Sequence, residues 1–157
     1  MLRFAVLLVA VAFPNFASAG DLLLRIDVVA CRNIDFKELG KEPVKESDQT
    51  LLSSLEIMVQ PGTHFRGRAR IGNSTLAVRG VCRQEEKPNE FYFDLRAENY
   101  DHADDKEIVN RRSVHTMIAV KLGQPVIVGG FGHDVDGVKS ATLFKVSIID
   151  PATDDES

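Results

Sequence analysis

The 157-residue chain carries 19 basic and 23 acidic residues, a formal charge of −4, with 44% hydrophobic residues and two cysteines. The acidic balance weighs against a nucleic-acid binder, which needs a basic bias. The length supports one hydrophobic core rather than two.

The N-terminus, MLRFAVLLVAVAFPNFASAG, has a basic start at Arg3, an apolar run from Phe4 to Phe13, a break at Pro14 and the small residues Ala17-Ser18-Ala19. This is the layout of a secretory signal peptide over 1–19, cut after Ala19. Its apolar run is roughly half of the ~20 residues needed to span a membrane. The chain is therefore expected to be exported, to the periplasm, the outer envelope or the medium. Membrane association stays open, without a transmembrane helix in the mature chain. Loss of Arg3 leaves 18 basic residues against 23 acidic ones, a charge of −5. An exported protein with Cys31 and Cys82 invites one disulfide, and two buried thiols are the alternative. Such a loop closure contributes about 4 kcal/mol in the chain-entropy model.

From Asp21 to Cys31 the apolar residues Leu22, Leu24, Ile26, Val28 and Ala30 alternate with Arg25 and Asp27 on the opposite face. Period two means a half-buried strand. Residues 32–50 are polar, with Gly40 and Pro43, and read as a long exposed loop. Leu51, Leu55, Ile57 and Val59 mark a second strand, ended by Pro61-Gly62.

Gly72-Asn73 fits a two-residue hairpin turn. It pairs Ile71 with Ser74, Ala69 with Leu76, Gly67 with Val78 and Phe65 with Gly80. The other face then receives Arg66, Arg68 and Arg70, with Arg79 directly opposite Arg66. Phe91, Phe93, Leu95 and Ala97 predict a strand that exposes Tyr92, Asp94, Arg96 and Glu98. Residues 99–110, NYDHADDKEIVN, read as an acidic loop.

Next comes RRSVHTMIAVKLGQPVIVGGF over 111–131. Val114, Thr116, Ile118, Val120 and Leu122 form one face. The following turn lacks an N–H at Pro125, so a four-residue loop, Leu122 to Pro125, is expected to close a hairpin. That hairpin pairs Val120 with Ile127 and places Ile127 in the buried stripe. Gly129 and Gly130 mark a bulge or a close backbone approach. A turn from Gly132 to Gly137 and a last strand with Thr142, Phe144, Val146 and Ile148 on one face complete the domain. Pro151 opens a short acidic tail, 151–157, expected to be disordered. Residues 20–150 thus read as one all-β domain, an antiparallel β-sandwich or partly open barrel of about seven or eight strands.

Chemistry is sparse. Guanidinium forks suit phosphate, sulfate or carboxylate groups, which makes Arg66, Arg68, Arg70 and Arg79 a candidate anion-binding set. The alternative is a ladder of ion pairs with Asp94, Glu98 and other carboxylates. Asp101, Asp104 and Asp105, and Asp134 and Asp136 before Gly137, contain a fragment of a calcium loop without its downstream Glu. Turn chemistry accounts for the same residues. His64, His102, His115 and His133 occur singly, without zinc spacing. No nucleophile elbow or Cys-x-x-Cys motif occurs, so no catalytic residue, cofactor or metal is expected.

Arg111-Arg112-Ser113-Val114-His115-Thr116, followed by Ala119 to Phe131, resembles the hairpin in the C-terminal domain of bacterial secretins. In that family the pattern is a charged residue, an alternating strand with a Thr, a Gly-containing turn, an apolar strand and Gly-Gly. Phe65 to Glu98 is similar to the strands that precede the family's hairpin. The match is firm over roughly 20 residues and loose over roughly 70. It implies an exported β-module with a secretin-like hairpin. Taken with the signal-peptide pattern and the lack of catalytic groups, the hairpin leads to the expectation of a non-enzymatic module of the cell envelope. Its implied role is assembly or protein interaction, with an envelope protein or further copies of itself as partner. After Phe131 a secretin continues into proline- and Leu-Phe-containing segments, where this chain has one further strand, Ala141 to Ile149.

Overall fold

The computed structural model describes residues 20–32, 48–84, 87, 89–103, 107–135 and 137–151. The expected signal peptide, most of the expected loop over 32–50, and the acidic tail beyond 151 lie outside the described residues.

Among the described residues, period-two alternation yields eight strands: β1 (Leu22–Arg32), β2 (Gln49–Val59), β3 (His64–Ile71), β4 (Ser74–Gln84), β5 (Glu90–His102), β6 (Ile108–Lys121), β7 (Val126–Val135) and β8 (Val138–Ile149). They form two antiparallel sheets, ordered β2-β1-β8-β7 and β3-β4-β5-β6. This is the all-β sandwich that the alternation predicts. Leu24, Ile26 and Val28 of β1 and Phe144, Val146 and Ile148 of β8 supply one half of the core. Leu76, Val78, Phe93, Leu95 and Val120 supply the other. Each fully buried side chain of this kind is worth about 1.5–3 kcal/mol. Phe65 meets Phe93 edge-on, with ring centroids 6.0 Å apart.

The hairpin on Gly72-Asn73 has the expected register, Arg66 opposite Arg79 included. Gly72 adopts a φ of 58°, which costs glycine little. The turn between β2 and β3 leads from one sheet to the other. Its Gly62 N–H donates to the Cys82 carbonyl of β4 at 2.8 Å.

The expected hairpin at Leu122–Pro125 does not form. Among the described residues β6 pairs with β5 and β7 pairs with β8, so the chain crosses between sheets at this turn. The Gly123 N–H donates to the Ile148 carbonyl of β8 at 2.9 Å, which ties the turn to the opposite sheet. The crossing changes the facing of β7. Val126 and Val128 pack on the inter-sheet core, whereas Ile127 packs on a second cluster with Val29, Cys31, Ala141 and Leu143. The paired glycines do mark both features expected of them. The β7–β8 register shifts between Ile127 and Gly129, and a Cβ on Gly129 would lie 2.7 Å from Val114 of β6.

Three boundaries also differ from expectation. Residues 99–102 and 108–110 extend the β5–β6 hairpin into the supposed acidic loop. Buried Asn99 anchors that extension by donating to Ser74 Oγ at 2.8 Å and accepting from Arg112 at 3.2 Å. Residues 132–135 likewise continue β7 rather than turning. Leu51 is exposed because the β1–β2 register shifts beside it, between Val28 and Val29.

Candidate functional site

The outer face of the β3-β4-β5-β6 sheet collects seven arginines, because these strands turn most of their apolar residues to the inner face. Pairing aligns them into a row. Arg66 lies opposite Arg79, Arg79 opposite Arg96, and Arg96 opposite His115, one residue from each strand. At strand spacings of about 4.8 Å the row spans roughly 14 Å. The adjacent row reads Arg68, Ala77, Glu98 and Ser113.

Like charges directly opposite one another are unfavourable unless neutralised. Two carboxylates face this surface from β5 near the row, and both engage its β5 and β6 members rather than Arg66 or Arg79. Glu98 accepts the Tyr100 hydroxyl and is bridged by Arg96 at 2.6 Å and Arg111 at 2.9 Å. The Tyr100 hydroxyl, then Arg111 and Arg96, hold its carboxyl at about 2, against an ordinary value of 4.5. Asp94 lies 2.8 Å from His115 Nε2. Among the described residues, Arg66, Arg68 and Arg79 make no salt bridge and no side-chain hydrogen bond. Arg70 stands apart, donating to the Gly72 carbonyl at 3.3 Å.

The candidate set therefore divides. Arg66, Arg68 and Arg79 surround a cleft of about 410 Å³ with Arg96 and Glu98 at its rim and Gly67, Ala77 and Val78 beneath. Arg66, Arg79 and Arg96 also border a second hollow of about 530 Å³ reaching Asp94 and His115. The ladder of ion pairs exists on this face, but it engages Arg96 and Arg111 rather than the β3 and β4 arginines. Reading the sequence alone identified the outer position of Arg96 and missed its alignment with Arg79. The β4–β5 connection reads as a polar turn from Gln84 to Asn89, and a turn of that length does not fix the register as a two-residue turn does.

The cysteines are free and are not brought together. Cys82 lies in the inter-sheet core, while Cys31 belongs to the second cluster. Alternation along β1 turned Val29 and Cys31 away from the side that Leu24, Ile26 and Val28 occupy. Burial pushes both thiols up, Cys82 to about 11 from 9.0. Of the oxygen-rich residues, Asp101 pairs with Arg112 at 2.6 Å, and Asp134 accepts the Gly137 N–H at 3.2 Å, as a turn residue does. Asp104, Asp105 and Asp136 lie outside the described residues. Among the described residues no three His, Cys, Asp or Glu side chains are placed to hold a metal ion. No helix among them is long and apolar enough to cross a membrane.

The fold built by these two sheets is similar to that of a solved secretin. The type II secretion system secretin GspD of E. coli K12 matches with a TM-score of 0.52 and 8% identity, over 83% of this chain and 50% of that one. The chain thus spans half the length of that secretin. The secretin InvG of the Salmonella SPI-1 injectisome matches at 0.46 and 13%, over 87% and 64%. The Klebsiella pneumoniae type II outer membrane complex of PulD matches at 0.46 and 10%, over 82% and 38%. At such identities the likeness is one of fold. No protein-family model and no curated protein matches the sequence.

Proposed function

We propose that this chain is an exported, non-enzymatic β-module of the cell envelope whose role is assembly or protein interaction. The observation that carries this reading is the secretin-like fold, a 0.52 match to GspD that covers 83% of the chain. The signal-peptide pattern supplies the export. The sheet edges supply a means of assembly. Strand β6 is an edge of its sheet and exposes Ile108, Val109 and Met117 along its length. Edge strand β2 of the other sheet exposes Leu51, Leu52 and Met58. Soluble monomers ordinarily blunt their edges with charge or proline, because an open edge accepts a strand from another chain.

A photoreactive residue in place of Val109, introduced into the full chain in its native host, tests the reading. Crosslinked species in the membrane fraction, either a ladder of the chain itself or an adduct with one envelope protein, are expected. A chain recovered only as an uncrosslinked soluble monomer would refute the proposal.

A further inference from the structure

The arginines of β3 and β4 remain unexplained by a role in assembly. Three guanidinium groups stand beside one another on neighbouring positions of a rigid sheet, and the two carboxylates near them are already occupied. Pairing geometry forces Arg66 against Arg79 and Arg79 against Arg96. Nothing in backbone propensity requires arginine at these positions, and a threonine or valine would serve the strands better. The repulsion is relieved when a negative group sits between the cations.

Shape points the same way. Ala77 is the one small side chain in a ring formed by Arg68 and Glu98 across the strands, Arg79 along its own strand, and Arg66 and Arg96 on the diagonals. The missing bulk at Ala77 opens the cleft of about 410 Å³. Small and apolar residues line its floor, and its walls carry the planar N–H forks of the arginines, with the Glu98 carboxylate at the rim held by Arg96 and Arg111. Such forks recognise tetrahedral oxyanions through paired hydrogen bonds.

We propose that the face above Ala77 is a binding site for a compact, multiply charged phosphate-type oxyanion, held by Arg66, Arg68 and Arg79 with Arg96 at its border. Each of the three free guanidiniums donates to phosphoryl oxygens. Arg96 is steered by Glu98 and sets the far wall. A single carboxylate would neutralise one cation and leave two opposed, so the ligand carries at least two charges. The same chemistry is offered by a soluble oligophosphate and by the headgroup of an anionic lipid.

Thermal unfolding of the full chain at constant ionic strength, in inorganic tripolyphosphate against sodium chloride, tests the site. A saturable rise is expected, about 5 °C or more at a hundredfold excess over Kd. Arg79→Leu should leave the anion-free melting temperature equal or higher, because it removes a repulsion, and should weaken binding about tenfold or more. Ala77→Leu fills the cleft without changing charge and should abolish the rise, whereas Lys139→Ala should preserve it. Sedimentation with phosphatidate vesicles separates the two sources. Binding to vesicles identifies the lipid headgroup, and binding to tripolyphosphate alone identifies a soluble ligand. Failure to bind either probe would overturn the proposal, as would unchanged binding by Arg79→Leu and Ala77→Leu. Tighter binding of a poly-glutamate peptide than of tripolyphosphate would overturn it too.

Discussion

The turn from β6 to β7 separates two topologies that the sequence permits, and Gly129 reports which one is present. In a hairpin closed at Leu122–Pro125, Gly129 would stand opposite Ile118, and Val114 would lie about 13 Å further along the strand. In the sandwich, a Cβ built on Gly129 meets Val114 Cγ2 at 2.7 Å, across the gap between two sheets. Val114 is β-branched and cannot swing aside through another rotamer without cost. Gly129→Ala should therefore overpack the corner and destabilise by about 2 kcal/mol, lowering the melting temperature by about 6 °C. Val114 is only partly buried, so Val114→Ala alone should lose about 1 kcal/mol of apolar contact. The double variant should be no less stable than Val114→Ala, because the clashing methyl has gone. Urea unfolding followed by far-ultraviolet circular dichroism measures all four stabilities. Losses that add to within about 0.5 kcal/mol would show that the two residues do not touch, and the sheet-crossing turn would be wrong.

Phe93 lies at 1% exposure against Phe65. Phe93→Ala should lose about 4 kcal/mol in the same urea assay, and a loss below about 1 kcal/mol would place that ring outside the core. Glu98 behaves differently, because its folded pKa is about 2 and its ordinary value 4.5. Its contribution is complete above pH 4.5 and is lost as the pH falls toward 2. Glu98→Gln should therefore be about 1 kcal/mol less stable than the parent at pH 7, and the difference should close as the pH falls below 2. A pH-independent difference would remove the charged network around Tyr100, Arg96 and Arg111. For the cysteines, burial predicts two thiols that resist alkylation in the native protein and react once it is unfolded. A mass two daltons low, or a melting temperature that falls with a reducing agent, would establish a disulfide between Cys31 and Cys82 instead.

Much of this architecture was legible because alternation is a local signal. The buried faces of β1, β5, β6 and β8, and the register of the β3–β4 hairpin, follow from residues read two at a time. What was not legible depends on partners distant in sequence. Pro125 shows that a hairpin bond is missing, but nothing near it says that Gly123 finds Ile148 instead. Asn99 and Asp101 look like loop residues until Ser74 and Arg112 arrive from other strands to satisfy them. Arg79 and Arg96 belong to different hairpins, and their meeting is a consequence of β4–β5 pairing. The candidate face was thus half visible. Its cations were apparent, but which of them stay unpaired was decided by three-dimensional placement.

Charge segregation connects that face to the behaviour of the whole chain. The outer side of the β3-β4-β5-β6 sheet presents Arg66, Arg68, Arg70, Arg79, Arg83, Arg96, Arg111 and Lys121 against Glu90, Asp94 and Glu98, eight cations and three anions, for a net +5. The chain from Gly20 onward carries −5 in total, so the remaining residues hold −10. A molecule that is acidic overall, yet basic on one flat side, steers an anion toward that side at short range while repelling it at long range. The repulsion is screened beyond about 8 Å at physiological ionic strength. Salt should consequently affect the two stages oppositely. Moderate salt should ease approach of a phosphate ligand, and higher salt should weaken its hold on Arg66, Arg68 and Arg79. Measured affinity against ionic strength should then pass through a maximum. A monotonic fall would mean that the surrounding acidic charge does not reach the site.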